Sequence, residues 1–202
     1  MARILIQFAH PLLEKSRMQQ VLLAAAVGMP DVTVNDLYEL YPQFDIDIDR
    51  EQELLSRHDI IIWQHPLYWY SCPALLKQWM DLVLEHGWAY GSKGRALAGK
   101  KIFSVITSGA NNTAYQDGGY NKYSIREYLR PFERTAELCR TTYWPPFWVP
   151  GVHRMQQGEI EAWGIQFYML LTALRKESLS EETILQAPLL NDIVSFNPII
   201  SS

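Results

Sequence analysis

Cysteine is scarce in this sequence, with Cys72 and Cys139 the two examples among 202 residues. Two cysteines provide no disulfide framework and no zinc-ligand spacing, and the five histidines show no HExxH pattern. We therefore interpret both cysteines as small core residues and predict no metal site. A metal hydrolase is a poor alternative for the same reason.

Long apolar runs and an excess of positive charge are also missing. No stretch approaches the roughly 20 apolar residues of a membrane helix, and the amino-terminal residues lack the pattern of a signal peptide. The formal net charge is -4 with both signs interspersed, so no basic stripe is available to follow a nucleic-acid backbone. The sequence predicts a cytoplasmic protein that does not bind nucleic acid.

Short apolar runs that alternate with helical patterns are what the sequence does contain. Residues 3–8 and 59–64 are continuous apolar runs, which are typical of strands buried on both faces of a parallel sheet. Residues 32–37, 101–107 and 141–149 predict three more strands, the last one short because two prolines interrupt it. Parallel neighbours need a helix between them, so we predict an α/β fold with a doubly wound five-stranded parallel sheet and helices on both faces.

Helical periodicity continues to residue 174 and then stops. The last clear stripe lies between residues 160 and 174, and the sequence after it has no periodic apolar face. We predict one domain over residues 1–177 and a tail of unknown role over residues 178–202.

Three loops should share one edge of the predicted sheet, because they follow the first, third and fourth strands. The first contains His10, Ser16, Arg17 and Gln19 immediately before a helix, whose free amide groups form an anion site. GxGxxG and GxxxxGK[ST] are both absent, which favours a monophosphate over a dinucleotide or nucleoside triphosphate. The alternative is that Ser16 only caps the helix, with its basic neighbours solvated.

The second and third loops offer an aromatic wall and a close backbone approach. Tyr68, Trp69 and Tyr70 are consecutive after a buried strand, where a planar ring could lie against them. The alternative is that these rings pack under the next helix or in a subunit contact. Gly109 in the third loop lets the backbone approach a ligand, although a simple turn would look similar.

Several segments carry a resemblance to a known family: His10-Pro11 followed by Ser16, WQHPLYWYSCPALLKQWMD, HGWAYG, the TSG turn, LRPFERTAELC and PPF. Over residues 3–175 the chain resembles the NAD(P)H:quinone oxidoreductase family of flavodoxin-like proteins. The most similar branch is the ancillary flavoprotein subunits of glutathione-regulated potassium-efflux systems. The resemblance implies a flavodoxin-like fold that binds FMN, with FAD as the alternative, and takes electrons from NAD(P)H.

By matching position, the resemblance also implies the cofactor-binding residues. These are His10, Ser16, Arg17, Gln19, Pro66, Leu67, Tyr68, Trp69, Tyr70, Thr107, Ser108, Gly109, Ala110 and Tyr115. The implied catalytic residues are Trp69 and Tyr115. A quinone would stack over Trp69, and Tyr115 would donate a proton to the quinone or orient it. Three positions depart from the family pattern: Gln19 replaces an asparagine, Tyr68 a glutamine and Ala110 a second glycine.

The implied reaction is two-electron, ping-pong hydride transfer from NAD(P)H through FMN to quinone-like acceptors. The alternative is an FMN-binding regulatory subunit of a potassium-efflux transporter, with secondary redox activity, which would lie peripherally at the inner face of the cell membrane. The aromatic residues Trp88, Tyr90, Tyr120 and Tyr123 predict a homodimer, because a lone domain would struggle to cover them. We also expect the tail to be dispensable for flavin binding.

Overall fold

The computed structural model describes residues 1–194, in which the strands form one parallel sheet. The strands are β1 (Ile4–Phe8), β2 (Val32–Asp36), β3 (Ile60–Pro66), β4 (Lys101–Thr107), β5 (Thr142–Tyr143) and β6 (Phe147–Val149). Their order is β2-β1-β3-β4-β5, with β6 also paired to β4. This is the flavodoxin-like order, in which the connections reverse direction between β1 and β3.

The last strand position of the sheet is shared by β5 and β6. β5 pairs with the start of β4 and β6 pairs with its end, both in parallel. Pro145 and Pro146 separate them, because proline has no N–H to donate to a ladder. The prediction of a doubly wound sheet with a short, proline-interrupted last strand is confirmed.

The helices cover both faces of the sheet, as predicted. They are α1 (Arg17–Ala26), α2 (Leu37–Leu40), α3 (Ile48–Ser56), α4 (Ala74–Val83), α5 (Ile125–Tyr128), α6 (Arg130–Leu138), α7 (Gln157–Arg175) and α8 (Glu181–Gln186). Buried side chains form two apolar clusters: one contains residues of α1 and α7, and the other contains residues of α3, α4 and α6. The sheet is therefore buried between two helical layers, which leaves its edges and strand ends for binding.

The tail contains a short helix that the sequence did not predict. Ile184 of α8 and Leu190, in a 3-10 turn after it, are buried in the same apolar cluster as α1 and α7. A six-residue helix is too short to show a periodic apolar face, so the pattern could not reveal it. Residues 195–202 of the predicted tail lie outside the described residues. Among residues 1–194, every helix is too short or too polar to cross a membrane.

Candidate functional site

A cavity of about 420 Å³ opens at the carboxyl ends of β1, β3 and β4. The predicted residues that line it are His10, Ser16, Pro66, Leu67, Tyr68, Thr107, Ser108 and Gly109. Leu12, Lys15, Val152 and His153 line it as well, and the resemblance had not implied them. The three predicted loops therefore meet at one site, together with the loop that follows β6.

Six predicted residues do not line this cavity: Arg17, Gln19, Trp69, Tyr70, Ala110 and Tyr115. Gln19 bonds to the cavity-lining Thr107, whereas the side chains of Arg17 and Trp69 face away from the cavity.

The first loop combines a capped helix start with free amide donors. The Ser16 hydroxyl accepts a hydrogen bond from the Gln19 amide at 3.4 Å, so Ser16 does cap α1. The amides of Arg17 and Met18 in the first turn have no partner within the helix. Lys15 adds a cation to the lining of the cavity. This end of the cavity is therefore suited to an anionic group.

The Arg17 side chain faces another way. Its guanidinium group donates to the backbone carbonyl of Met155 at 3.0 Å. Met155 lies two residues after His153 in the loop that follows β6. Arg17 therefore ties that loop to the start of α1, and its backbone amide is what it offers to a ligand.

His10 is a neutral donor on the cavity wall. Its Nδ1 accepts a hydrogen bond from the Leu12 amide at 3.1 Å, which leaves the proton of the neutral imidazole on Nε2. Burial lowers the pKa of His10 below its ordinary value, against a smaller opposing effect of Glu14. The ring meets Tyr68 edge to face at 6.1 Å. His10 is thus held uncharged and oriented at neutral pH.

Gln19 lies behind the cavity. Its side chain is fully buried, accepts from the Gln64 amide nitrogen at 3.0 Å and donates to the Thr107 hydroxyl at 3.1 Å. This chain of bonds joins α1 to β3 and β4, and it satisfies polar atoms that would otherwise be buried without partners. The amide implied for the phosphate is used instead to hold the cavity-lining Thr107.

The second loop is a tight turn with an unusual backbone. The Ser71 amide donates to the Tyr68 carbonyl at 2.9 Å, and the two central residues, Trp69 and Tyr70, have φ of 47° and 60°. Two successive positive φ values characterise a type I′ turn, where asparagine and glycine are the usual residues. Bulky residues held in this conformation cost on the order of 1–3 kcal/mol each.

Only one of the three aromatic rings predicted to form a wall therefore lines the cavity. Tyr68 lines the cavity, whereas the Trp69 side chain is 94% exposed. Tyr70 stacks on Tyr128 with 5.0 Å between ring centroids, and its hydroxyl donates to Asn121. Tyr70 therefore fits the alternative in which these rings pack against the rest of the protein. The Trp69 side chain is exposed to solvent.

In the third loop, Gly109 is not in the positive-φ region. A Cβ atom at this position would lie 2.7 Å from the imidazole ring of His153, so any side chain there requires that ring to move. Among residues 1–194 the amides of Gly109 and Ala110 donate no hydrogen bond. They remain available to a ligand. His153 lies four residues beyond the predicted end of the last strand, and the sequence offered it, with Tyr120, only as a further contributor to the reaction.

Ser108 links the cavity to the aromatic pair Trp148 and Tyr115, which lies behind the cavity wall. Its hydroxyl accepts from the Trp148 indole N–H at 3.0 Å and donates to the Ala110 carbonyl at 3.0 Å. Tyr115 meets Trp148 edge to face at 5.4 Å. Burial raises the pKa of Tyr115, opposed by the neighbouring Ser108 hydroxyl. Tyr115 is thus one residue removed from the cavity and stays protonated at neutral pH.

Comparison with known proteins identifies the family of this chain. Residues 2–164 match the family described as having a flavodoxin-like fold. The glutathione-regulated potassium-efflux system ancillary protein KefG of Serratia proteamaculans is 49% identical over 160 residues, which are 79% of this chain and 87% of that protein.

Two solved structures are similar as well. General stress protein 14 of Treponema denticola, solved in complex with FMN, is 42% identical with a TM-score of 0.82, over 85% of this chain and 99% of that one. The NADPH-quinone reductase of P. pentosaceus is 36% identical with a TM-score of 0.75, over 83% of this chain and 96% of that one. The predicted resemblance is confirmed, and the chain belongs to the family of proteins with a flavodoxin-like fold.

Proposed function

We propose that this chain binds FMN non-covalently and carries out two-electron transfer from NAD(P)H to a quinone-like acceptor. The observation that carries the proposal is the cavity at the end of β1, β3 and β4. It has hydrogen-bond donors suited to an anion on one side and the unbonded backbone amide of Gly109 on another. Support also comes from the relative solved with FMN and from the similar NADPH-quinone reductase.

The donor set of the cavity fits the two ends of FMN. Lys15, the Ser16 hydroxyl and the first-turn amides of α1 match a phosphate monoester, which needs several donors and positive charge. The free amides of Gly109 and Ala110 match the carbonyl-bearing edge of the ring. Bound FMN would supply the hydride chemistry, while the protein supplies binding and orientation.

On the acceptor side, Trp69 and Tyr115 keep the roles proposed from the sequence. The exposed Trp69 ring gives a quinone a flat surface to stack on beside the cavity. Tyr115 is the proposed proton donor, and its raised pKa keeps the phenol protonated at neutral pH. Because Tyr115 is buried behind Ser108, it would act through that hydroxyl or after a local movement of the third loop.

Purified protein tests the proposal directly. Its absorption spectrum should show flavin bands, and chromatography of the released flavin should distinguish FMN from FAD. NADH and NADPH oxidation should then depend on added benzoquinone. Protein that neither contains flavin nor quenches the fluorescence of added FMN would overturn the proposal.

A second candidate is an FMN-binding regulatory subunit of a potassium-efflux transporter. It is favoured by the identity of 49% with an ancillary protein of such a system. In this case the protein would lie in the cytoplasm and associate peripherally with the membrane. A tagged chain should then copurify with an efflux protein from detergent-solubilised membranes of its own host, and the association should survive a salt wash.

We also propose a homodimer, which is supported by two of the four aromatic residues that suggested it in the sequence. Trp88 and Tyr90 pack against the core, so they need no partner. Tyr120 and Tyr123 are exposed, as is Trp69. Light scattering at micromolar concentration should give twice the chain mass, and a monomer would contradict the proposal.

A further inference from the structure

The tail contacts the edge strand β6 through the side chain of Asn191. The Trp148 amide donates to Asn191 Oδ1 at 2.9 Å, and Asn191 Nδ2 donates back to the Trp148 carbonyl at 3.0 Å. The Leu190 amide adds a bond to the Pro146 carbonyl at 3.0 Å. One carboxamide thus satisfies both backbone groups of an edge residue, as a neighbouring strand would.

Asn191 is itself held in place. Its backbone carbonyl accepts from the Gln166 side chain of α7 at 2.9 Å, and the preceding Leu190 side chain is fully buried. The matched family region ends at residue 164, before both Gln166 and Asn191. Asn191 therefore lies beyond the part of the chain that matches the family, whereas Trp148 lies within it.

The side chain of Trp148 bonds to a residue that lines the cavity. Its indole N–H holds the Ser108 hydroxyl, which in turn holds the Ala110 carbonyl. The Ser108 amide also donates to Val149 of β6 at 3.0 Å. Since β6 is only three residues long, it has few ladder bonds to fix its own position. The third loop therefore depends on how firmly β6 is held from its outer edge.

We propose that Asn191 is a positioning residue for the cofactor cavity: by clamping Trp148, it fixes Ser108 and the shape in which Gly109 and Ala110 offer their amides. This inference rests on the proposed FMN binding. It also opposes the expectation that the tail is dispensable for flavin binding. The effect passes through Trp148, since Asn191 does not line the cavity.

The experiment compares Asn191→Ala and Trp148→Phe with a control in the same tail. Trp148→Phe removes the N–H donor but keeps an aromatic ring against Tyr115. Ile184→Ala is the matched control, because Ile184 is buried in the tail but makes none of these hydrogen bonds. It should lower the melting temperature without changing the third loop.

Two readouts are measured well below each melting temperature. FMN affinity is followed by fluorescence quenching, and amide hydrogen exchange of Ser108 and Val152 is followed by NMR in cofactor-free protein. Asn191→Ala should weaken FMN binding about threefold to tenfold, as expected for the loss of bonds worth about as much as an ordinary hydrogen bond. Exchange at both amides should accelerate by a similar factor.

A double variant separates the relay from general loosening. If Asn191 acts through the Trp148 indole, the loss of affinity in the double variant is smaller than the product of the two single losses. Multiplicative losses, equal losses in Ile184→Ala, or unchanged affinity and exchange in Asn191→Ala would each overturn the inference. If wild-type protein binds no FMN, the proposed function fails, and the exchange of cofactor-free protein alone decides whether Asn191 positions the third loop.

Discussion

The imidazole of His153 lies directly against Gly109, at a distance that leaves no room for a Cβ atom. This contact joins the loop after β6 to the loop after β4 at the rim of the cavity. A side chain at Gly109 must therefore displace His153 or push into the space for the ligand. The constraint on this glycine is steric and does not involve its backbone conformation.

Gly109→Val should weaken FMN binding several-fold to roughly hundredfold, which corresponds to about 1 to 3 kcal/mol. The two methyl groups of valine extend beyond the Cβ position, which already meets the His153 ring. The measurement is FMN fluorescence quenching for variants with equal circular dichroism.

Gly109→Ala provides the matched comparison, with a smaller effect. That effect should disappear when His153→Ala removes the clashing ring. An unchanged affinity in Gly109→Val would show that the third loop does not contact the flavin.

Trp69→Asn should separate the backbone strain of the second loop from the role of the Trp69 ring in binding the acceptor. The Trp69 side chain is almost fully exposed, so its removal costs little packing, and asparagine tolerates its positive φ. We expect the free energy of unfolding to stay constant or rise by up to about 1 kcal/mol. The KM for benzoquinone should rise, because the stacking surface is lost.

Thermal unfolding and steady-state kinetics measure the two effects on the same protein. Trp69→Phe is the control and should retain most of the acceptor binding, since it keeps a ring. A KM that is unchanged in Trp69→Asn would argue against a role of Trp69 toward the acceptor.

The sheet was predictable because its central strands β1 and β3 are buried on both faces and read as continuous apolar runs, as in residues 59–64. The three site loops were then predictable from topology alone, since they follow adjacent strands. The role of Gln19 was not, because a buried glutamine bonded to Thr107 has the same sequence signature as one facing a ligand. The Asn191 clamp was equally hidden, because it depends on pairing between residues that are distant in sequence.

Gln19→Leu should affect stability and leave phosphate recognition unchanged. It strips the Gln64 amide nitrogen and the Thr107 hydroxyl of their shared partner, in a region where polar atoms are buried. An unsatisfied buried group costs about 1–3 kcal/mol, so the free energy of unfolding should fall by at least that amount.

The ratio of FMN to riboflavin affinity isolates the phosphate contact in this comparison. It should stay constant in Gln19→Leu and fall in Ser16→Ala and Lys15→Ala, whose side chains line the anion end of the cavity. A ratio that falls in Gln19→Leu as much as in Ser16→Ala would restore Gln19 to the phosphate site.

Protonation of His65 should destabilise the protein in mild acid. His65 is fully buried, and burial lowers its pKa from the ordinary 6.5 to about 4, opposed only by a bond to the Pro66 carbonyl. The unfolded chain therefore binds a proton at a higher pH than the folded chain does. Stability from this group is fully present above pH 6.5 and is lost as the pH falls toward 4. The loss amounts to about 3 kcal/mol at roughly 1.36 kcal/mol per pKa unit.

His65→Phe removes the titrating group and keeps a ring against Phe132, on which His65 stacks at 5.5 Å. It also removes a buried Nε2 that has no hydrogen-bond partner within residues 1–194. The variant should match or exceed the wild-type stability at pH 7, and its free energy of unfolding should fall less steeply between pH 6.5 and 4. Urea unfolding across this range measures the difference between the two proteins, in which the contributions of the other acid-titrating groups cancel. Parallel curves for the two proteins would show that His65 does not titrate as a buried neutral histidine.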